Sequence, residues 1–226
     1  MSSRKNFELF LYKNRLNEKT LIELMPRLST RSIESIIGDL DCSSRPQTDT
    51  LYVFTDGGCT KNGKSSARAA YSVQFSDDPD SNLYNFNTTK LVVKDPTNNK
   101  AELSAIRYVF KTVFENIDQF SNRTITICTD SMYCINCIDR WSVGWAKNGW
   151  KNAKGEDVKN QDIIKSIIET RKTIVESNKA ISFVFQHVMS HTQAPEDKTS
   201  LKYKLWEGND TVDKNIQTAL DSTKNT

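Results

Sequence analysis

Four acidic residues stand where a carboxylate could do chemistry. Asp56 follows an apolar run and directly precedes two glycines, and Asp130 ends a second apolar run. Glu102 lies in the first turn of a predicted helix, and Asp213 lies within another. Each alone has an ordinary explanation, such as a turn, a helix dipole, an N-cap or an exposed helix position. A carboxylate at the end of a buried strand is costly, however, so the joint occurrence favours a functional site.

The acidic set predicts a site for divalent cations. Two adjacent strands that both end in Asp would bring like charges together, which is unfavourable unless cations neutralise them. Oxygen ligands without Cys or His at metal spacing are typical of Mg²⁺ or Mn²⁺ sites. Cys134 and Cys137 have no second Cys or His pair near them, so we interpret them as small residues on a helix rather than as zinc ligands.

The elements that must position these acids follow from hydrophobic periodicity. The predicted strands are 51–54, 69–75, 83–93, 124–129 and 181–188. The predicted helices are 100–115, one entered at Ser131, 160–177 and 208–220. Three consecutive strands followed by alternating helices and strands predict an α/β fold with a five-stranded mixed sheet flanked by helices.

The chain is predicted to divide near residues 41–50. That stretch is polar, contains Pro46 and has no periodicity, so it is interpreted as a linker between residues 1–40 and a main domain at 51–221, with a tail at 222–226. Residues 1–40 have helical patterns. They form either a small helix-turn-helix-like module that contacts protein or nucleic acid, or a helical extension packed on the main domain or on a second copy.

Composition narrows the class of protein. The 226 residues carry 31 basic and 28 acidic side chains, and 37% are hydrophobic, as in a soluble globular protein. No apolar run approaches the ~18 residues of a membrane span, and the N-terminus lacks the apolar core of a secretory signal. The chain has five cysteines, an odd number, and it is not small, so we do not expect a disulfide framework. We expect a monomer in a reducing intracellular compartment, the nucleus or cytoplasm rather than an organelle.

Five short motifs occur in a fixed order along residues 51–221. They are YVFTDGGC at 52–59, TNNKAEL at 97–103, TDSMY at 129–133, a tryptophan- and lysine-rich segment at 141–159, and His191 followed by GNDTVD at 208–213. In content and order they resemble the type 1 ribonuclease H family. The resemblance implies a ribonuclease H-like fold and an endoribonuclease that cuts the RNA strand of RNA–DNA hybrids, leaving 5′-phosphate and 3′-hydroxyl ends.

The resemblance also implies roles for single residues. The four acids named above would hold two Mg²⁺ ions, which Mn²⁺ could replace, and His191 would assist proton movement or product release. Asp210 competes with Asp213 as the fourth acid because the two are one helical turn apart. The family pattern places the ligand at Asp213. His187 is interpreted as structural.

Contacts with the two strands of the hybrid are implied in the same way. Amide groups can donate to and accept from the ribose 2′-hydroxyl that distinguishes RNA from DNA, and lysines bind phosphates. The implied RNA-strand contacts are Gly58, Asn62, Asn98 and Asn99, and the implied DNA-strand contacts are Thr97, Trp141, Trp145, Trp150, Lys147, Lys151 and Lys159. Turn chemistry after Pro96 and core packing of the tryptophans are the alternatives.

Two features depart from the family pattern. Gly144 replaces the usual asparagine of a DNA-phosphate contact, and the 192–207 stretch is longer and contains Lys198, Lys202 and Lys204, as in a lid or a second substrate contact. Two other functions stay open: a nuclease of the same fold acting on another nucleic acid, and a non-catalytic hybrid-binding module.

Overall fold

The computed structural model describes residues 49–223. The predicted helical region 1–40, most of the predicted linker and residues 224–226 of the predicted tail lie outside that range. The first described strand begins at Asp49, two residues inside the predicted linker. Within 49–223, no helix combines the length and apolar character that crossing a membrane requires.

Five strands and five α-helices make up this region. The strands are β1 (Asp49–Thr60), β2 (Arg68–Gln74), β3 (Thr88–Val92), β4 (Arg123–Thr129) and β5 (Ser182–His187). The helices are α1 (Asn98–Glu115), α2 (Met132–Asn136), α3 (Ser142–Lys147), α4 (Gln161–Ser177) and α5 (Leu201–Ser222). A π-helical turn, Cys137–Trp141, joins α2 to α3, and two 3-10 turns, Asn82–Phe86 and Ile117–Phe120, lie in connections.

The sheet is mixed, with strand order β3-β2-β1-β4-β5. Pairing is antiparallel from β3 to β1 and parallel from β1 through β4 to β5. Because β1 and β4 are parallel neighbours, their carboxyl-terminal halves lie at the same edge of the sheet. This confirms the predicted five-stranded mixed sheet. The predicted strand 51–54 extends at both ends to Asp49–Thr60, so Asp56 lies within β1, whereas Asp130 directly follows the last residue of β4.

Helices cover both faces of the sheet. Successive residues of a strand point to opposite faces, so Val53 joins the larger core that includes residues of α1 and α4, while Phe54 joins a smaller cluster with Cys128, Val188 and Val212 of α5. Two glycines permit close helix packing. A Cβ on Gly57 would overlap the backbone of Glu102, and a Cβ on Gly208 would overlap the ring of Phe54.

The predicted third strand, 83–93, is wrong in its first half. Ser81 caps a 3-10 turn there, with its Oγ accepting a hydrogen bond from the Leu83 N–H at 3.2 Å. Asn87 then ties the chain to the end of β2 by accepting from the Phe75 N–H at 2.6 Å and donating to the Ser76 carbonyl at 2.6 Å. The strand proper is therefore only Thr88–Val92.

The last helix begins seven residues before its predicted start at Gly208. Ser200 caps α5, its Oγ accepting a hydrogen bond from the Tyr203 N–H at 3.1 Å, so residues 201–207 form the first two turns. Residues 201–207 of the 192–207 stretch are therefore helical, and its role as a lid or second substrate contact stays a prediction. Helix α1 also begins earlier than predicted, at Asn98 instead of residue 100. Glu102 therefore lies one turn inside the helix rather than in its first turn.

Candidate active site

Three of the four predicted acids meet at the carboxyl-terminal edge of the sheet. Asp56 lies on β1, Asp130 follows the last residue of β4, and Glu102 lies in α1. One carboxylate oxygen from each residue lies within 4.8 Å of the others. We call this group the acid triad. Asp56 and Glu102 are buried, at 9% and 8% exposure, while Asp130 is half-buried.

The backbone rather than long side chains brings the triad together. The parallel pairing of β1 with β4 aligns Phe54 with Cys128, so Asp56 and Asp130, each two residues further along its chain segment, come to lie side by side. Gly57 lets the start of α1 touch β1, because any side chain there would overlap the Glu102 backbone. The Gly57 N–H also donates a 2.6 Å hydrogen bond to Asp56 Oδ1, which orients that carboxylate.

Burial and neighbouring negative charges raise the pKa values of Asp56 and Glu102. Burial raises the pKa of Asp56 from 3.8 to about 7, with Asp130 and Asp213 adding to the rise, while the Gly57 hydrogen bond and His191 act in the opposite direction. Burial raises the pKa of Glu102 from 4.5 to about 8, again with help from neighbouring carboxylates, while Ser131 and Asn98 lower it. The cluster is thus costly to ionise without added positive charge.

The donor set fits a divalent cation. Glu102 Oε1 accepts a 2.9 Å hydrogen bond from Asn98 Nδ2. Glu102 Oε2 is buried, and no group of the described residues lies in good hydrogen-bonding geometry with it, although the Ser131 hydroxyl is near enough to lower the pKa of Glu102. An unsatisfied buried carboxylate oxygen beside two further carboxylates needs a partner, and a cation supplies one. Oxygen-only ligands are typical of hard cations such as Mg²⁺, Mn²⁺ and Ca²⁺.

The fourth predicted acid stands apart from the triad but faces it. Asp213 is half-buried on α5, and its charge raises the pKa of Asp56, although it does not belong to the group whose oxygens lie within 4.8 Å of one another. Its competitor Asp210 is engaged elsewhere, in a 2.6 Å ion pair with Lys214. Asp213 is therefore within electrostatic range of the triad, whereas the Asp210 carboxylate is held by Lys214.

The two histidines have different settings. His191 is exposed, adopts a left-handed backbone with φ of 54°, and is close enough to lower the pKa of Asp56 by its charge. His187, at the end of β5, makes a 3.1 Å hydrogen bond from Nε2 to the Asp130 carbonyl. That contact supports the main chain beside the triad, as expected of a structural residue.

The residues implied in RNA-strand contact surround the start of α1. Asn62 Oδ1 accepts a 3.4 Å hydrogen bond from the Asn98 N–H, and Asn98 in turn reaches Glu102. Asn99 is exposed, and Gly58 is half-buried with the side chain of Ile216 close to its Cα. The implied DNA contact Thr97 is the N-cap of α1, where its hydroxyl accepts a 3.3 Å hydrogen bond from the Lys100 N–H.

The tryptophans form a chain of rings on the α2–α4 side. Ring centroids are 5.7 Å apart for Trp141 and Trp145 and 6.0 Å apart for Trp145 and Trp150. Trp145 and Trp150 pack against the larger core, whereas Trp141 is 43% exposed. Of the implied lysines, Lys151 is paired with Asp157 at 2.8 Å. The remaining two, Lys147 and Lys159, are exposed.

Two residues near the site were not predicted as functional. Ser131 caps α2 by accepting from the Cys134 N–H at 3.4 Å, is 8% exposed, and lowers the pKa of Glu102. Its position directly after Asp130 within the TDSMY motif was the available signal. Trp206 on α5 donates a 2.9 Å hydrogen bond to the carbonyl of Thr192, which lies 14 residues earlier in the sequence. No local sequence pattern predicts this contact.

Comparison with known proteins adds a family likeness. The RNase H family model matches residues 48–220. Ribonuclease H1 of Mus musculus is 32% identical over 115 residues, which cover 50% of this chain and 37% of that protein. Ribonuclease HI of Neisseria meningitidis serogroup B is 33% identical over 121 residues, which cover 52% of this chain and 72% of that protein. The chain thus spans little more than a third of its mouse relative.

A solved structure shows the same fold. The prototype foamy virus protease–reverse transcriptase in its native form superposes with a TM-score of 0.50 at 18% identity, covering 79% of this chain and 22% of that chain. At this level of identity the likeness concerns the arrangement of strands and helices alone.

Proposed function

The chain belongs to the ribonuclease H family, and from that membership we propose that it hydrolyses the RNA strand of RNA–DNA hybrids, leaving 5′-phosphate and 3′-hydroxyl ends. The observation that carries the proposal is the acid triad, with its unsatisfied Glu102 oxygen, at the edge of the sheet. A non-catalytic hybrid-binding module would have no use for a buried and mutually repelling set of carboxylates.

We propose that the triad and Asp213 hold two Mg²⁺ ions, which Mn²⁺ could replace. When bound, such ions supply an activated water and stabilise the charge that develops on the leaving 3′ oxygen. The chain prepares the site for them. Gly57 fixes one Asp56 oxygen, Asn98 fixes one Glu102 oxygen, and Asp213 adds charge from the α5 side.

His191 is suited to assist from the solvent side. It is exposed, so its ring can exchange protons with water, and its charge reaches Asp56. An imidazole can act either as a proton acceptor or as a proton donor. We therefore propose that His191 takes part in proton movement or product release and is not a metal ligand.

Selection of the hybrid is proposed to depend on two surfaces. At the start of α1, the amides Asn62, Asn98 and Asn99, together with Gly58, would meet the RNA strand and its 2′-hydroxyls. The DNA strand would be met by Thr97 and by the tryptophan-rich segment, with Trp141 as the exposed ring and Lys147, Lys151 and Lys159 toward phosphates. Trp145 and Trp150 would serve mainly to support Trp141.

The test is a cleavage assay with end-labelled RNA–DNA hybrid, double-stranded RNA and double-stranded DNA, each with Mg²⁺ or with EDTA. The proposal predicts that only the hybrid is cut and that EDTA abolishes cutting. Asp130→Asn should bind the hybrid but not cleave it, with Asp118→Asn as a surface control that cleaves normally. Preferential cutting of double-stranded DNA would favour a nuclease of the same fold with another substrate.

The expected monomeric state and reducing compartment remain predictions. Residues 49–223 contain four of the five cysteines, and these four, Cys59, Cys128, Cys134 and Cys137, are free. Cys134 and Cys137 are fully buried, and burial raises the pKa of the Cys137 thiol to about 11, so it is an unreactive thiol. Unpaired buried thiols support a reducing environment, and size-exclusion chromatography with light scattering would test the monomer.

A further inference from the structure

The loop that carries His191 is held at both ends. We call residues 188–200 the histidine loop, since they connect β5 to α5. At its start, the Val188 N–H donates a 3.0 Å hydrogen bond to the Thr129 carbonyl at the end of β4. At its end, Asp197 accepts hydrogen bonds from the Thr199 N–H and hydroxyl, at 2.9 and 2.7 Å, just before the Ser200 cap.

Between these ends the loop has one polar attachment. Across residues 189–196, the Thr192 carbonyl is the only group that makes a hydrogen bond within the described range 49–223, and its donor is Trp206 Nε1 at 2.9 Å. Thr192 directly follows His191, whose left-handed φ of 54° is uncommon for a residue with a side chain. Such a conformation persists when surrounding contacts hold it.

Trp206 lies on a part of α5 that is itself anchored. In the first two turns, Leu205 packs against the cluster around Phe54, and Lys204 Nζ lies 5.4 Å above the ring of Tyr52 on β1. The Tyr203 ring adds a lateral contact, with its centroid 5.6 Å from that of Trp206. The indole therefore projects from a helix that is fixed to the sheet.

The charge of this segment does not favour a second substrate contact. Residues 196–207 contain three acidic and three basic side chains. A surface that binds the phosphate backbone carries a clear excess of positive charge. The charge balance of this segment therefore does not support nucleic-acid binding.

We propose that Trp206 is a positioning residue that holds the histidine loop through the Thr192 carbonyl and so keeps His191 facing the acid triad. This inference rests on the proposed function, because it gives Trp206 a role in the same reaction. Trp206 itself does not touch the triad or the reacting atoms. The proposal routes its effect on hydrolysis through His191, so removal of the His191 ring should abolish that effect, which makes the inference testable.

The decisive experiment is a double-mutant cycle on the full chain with Mg²⁺ and labelled hybrid. Trp206→Phe, which removes the indole N–H but keeps a ring, should lower kcat about 2- to 10-fold, the equivalent of one lost hydrogen bond, with little change in KM. In a His191→Ala background the same change should have no further effect on kcat. Full additivity of the two losses, or an unchanged kcat in the single variant, would overturn the inference.

A matched control and a physical readout separate positioning from general damage. Tyr203→Phe changes the same turn without touching the Thr192 hydrogen bond and should leave kcat unchanged. In metal-free protein, ¹⁵N relaxation should show lower order parameters at residues 190–194 in Trp206→Phe than in the parent chain. Equal order parameters would contradict the proposal.

A second replacement guards against loss of packing. Exchange of Trp206 for 3-benzothienylalanine keeps the shape of the indole and removes only the N–H, so it should reproduce both the kcat loss and the loop mobility. Parent-like behaviour of this variant would refute the hydrogen-bond role. Absence of hybrid cleavage in the parent chain itself would instead refute the proposed function, while the relaxation result would still judge the contact.

Discussion

Asn98 donates a hydrogen bond of 2.9 Å from its side-chain amide to the Glu102 carboxylate, one helical turn further along α1. The same residue receives support from Asn62, whose Oδ1 accepts from the Asn98 N–H at 3.4 Å. The donated bond engages the amide nitrogen, so the amide oxygen of Asn98 is not part of this contact. A residue proposed to sense ribose hydroxyls is thus directly joined to a proposed metal ligand.

Asn98→Ala should therefore weaken cation binding as well as hybrid binding. Loss of a partner that orients a metal ligand typically costs ~10- to 100-fold in metal affinity. Asn99→Ala is the matched control, because Asn99 is exposed and makes no hydrogen bond to Glu102 among the described residues. Titration calorimetry in the absence of nucleic acid measures the Mn²⁺ affinity of each variant. Equal affinities would show that the Asn98 hydrogen bond does not contribute to cation binding.

Stability of the metal-free protein should fall as pH rises through the neutral range. Folding raises the pKa of Asp56 from 3.8 to about 7 and that of Glu102 from 4.5 to about 8, so the folded state binds more protons than the unfolded state between about pH 4 and pH 8. In that window the free energy of unfolding decreases with pH, by at most ~1.4 kcal/mol per pH unit for each group. Urea unfolding in EDTA at pH 5 and pH 8 measures this slope.

Two comparisons identify the source of the slope. Asp56→Asn should flatten it, because the substituted side chain no longer titrates. Saturating Mg²⁺ should raise the stability at pH 8 more than at pH 5, because the cation binds the ionised carboxylates of the folded state. A slope that is the same in parent and variant would mean that other groups govern the pH dependence.

Gly57→Ala should lower the free energy of unfolding more than the addition of a single methyl group would suggest. The added methyl would overlap the backbone at Glu102, so β1 and α1 must separate, at a cost of ~1–3 kcal/mol or more. Gly144→Ala is the opposite case, because Gly144 is exposed in helix α3 and a Cβ there meets nothing within 4 Å. That variant should gain roughly 0.5–1 kcal/mol from helix propensity. Chemical denaturation of both variants in EDTA tests the pair, and a mild Gly57→Ala effect would show that the contact can relax.

The sequence predicted the site best where local pattern and chemistry agree. The apolar runs before Asp56 and Asp130 locate two strands, and the placement of an acid at each strand end suggests that they meet. The distance of Asp213 from the triad could not be predicted, because it depends on how α5 packs against the sheet. Gly208 against the Phe54 ring sets that packing, and the two residues are far apart in sequence.

Two of the boundaries that differ from the prediction have clear physical causes. Residues 83–86 are apolar enough to look like strand, but the Ser81 cap and the Asn87 side chain satisfy the local backbone as a 3-10 turn. The first turns of α5 contain lysines and aromatic residues without a clean apolar stripe, so the helix was predicted to start only at Gly208. Ser200 and the contacts of Leu205 and Lys204 decide the earlier start.

Helix α5 carries Trp206 and Asp213 seven residues apart, which places them two turns apart on nearly one side of the helix. The glycine between them, Gly208, lies flush against an aromatic ring of β1 and thereby sets how far the helix can slide along its axis. The position of α5 along its axis therefore determines both where Asp213 lies relative to the triad and where Trp206 lies relative to the histidine loop. A substitution that shifts α5 along its axis would therefore move Asp213 and Trp206 together.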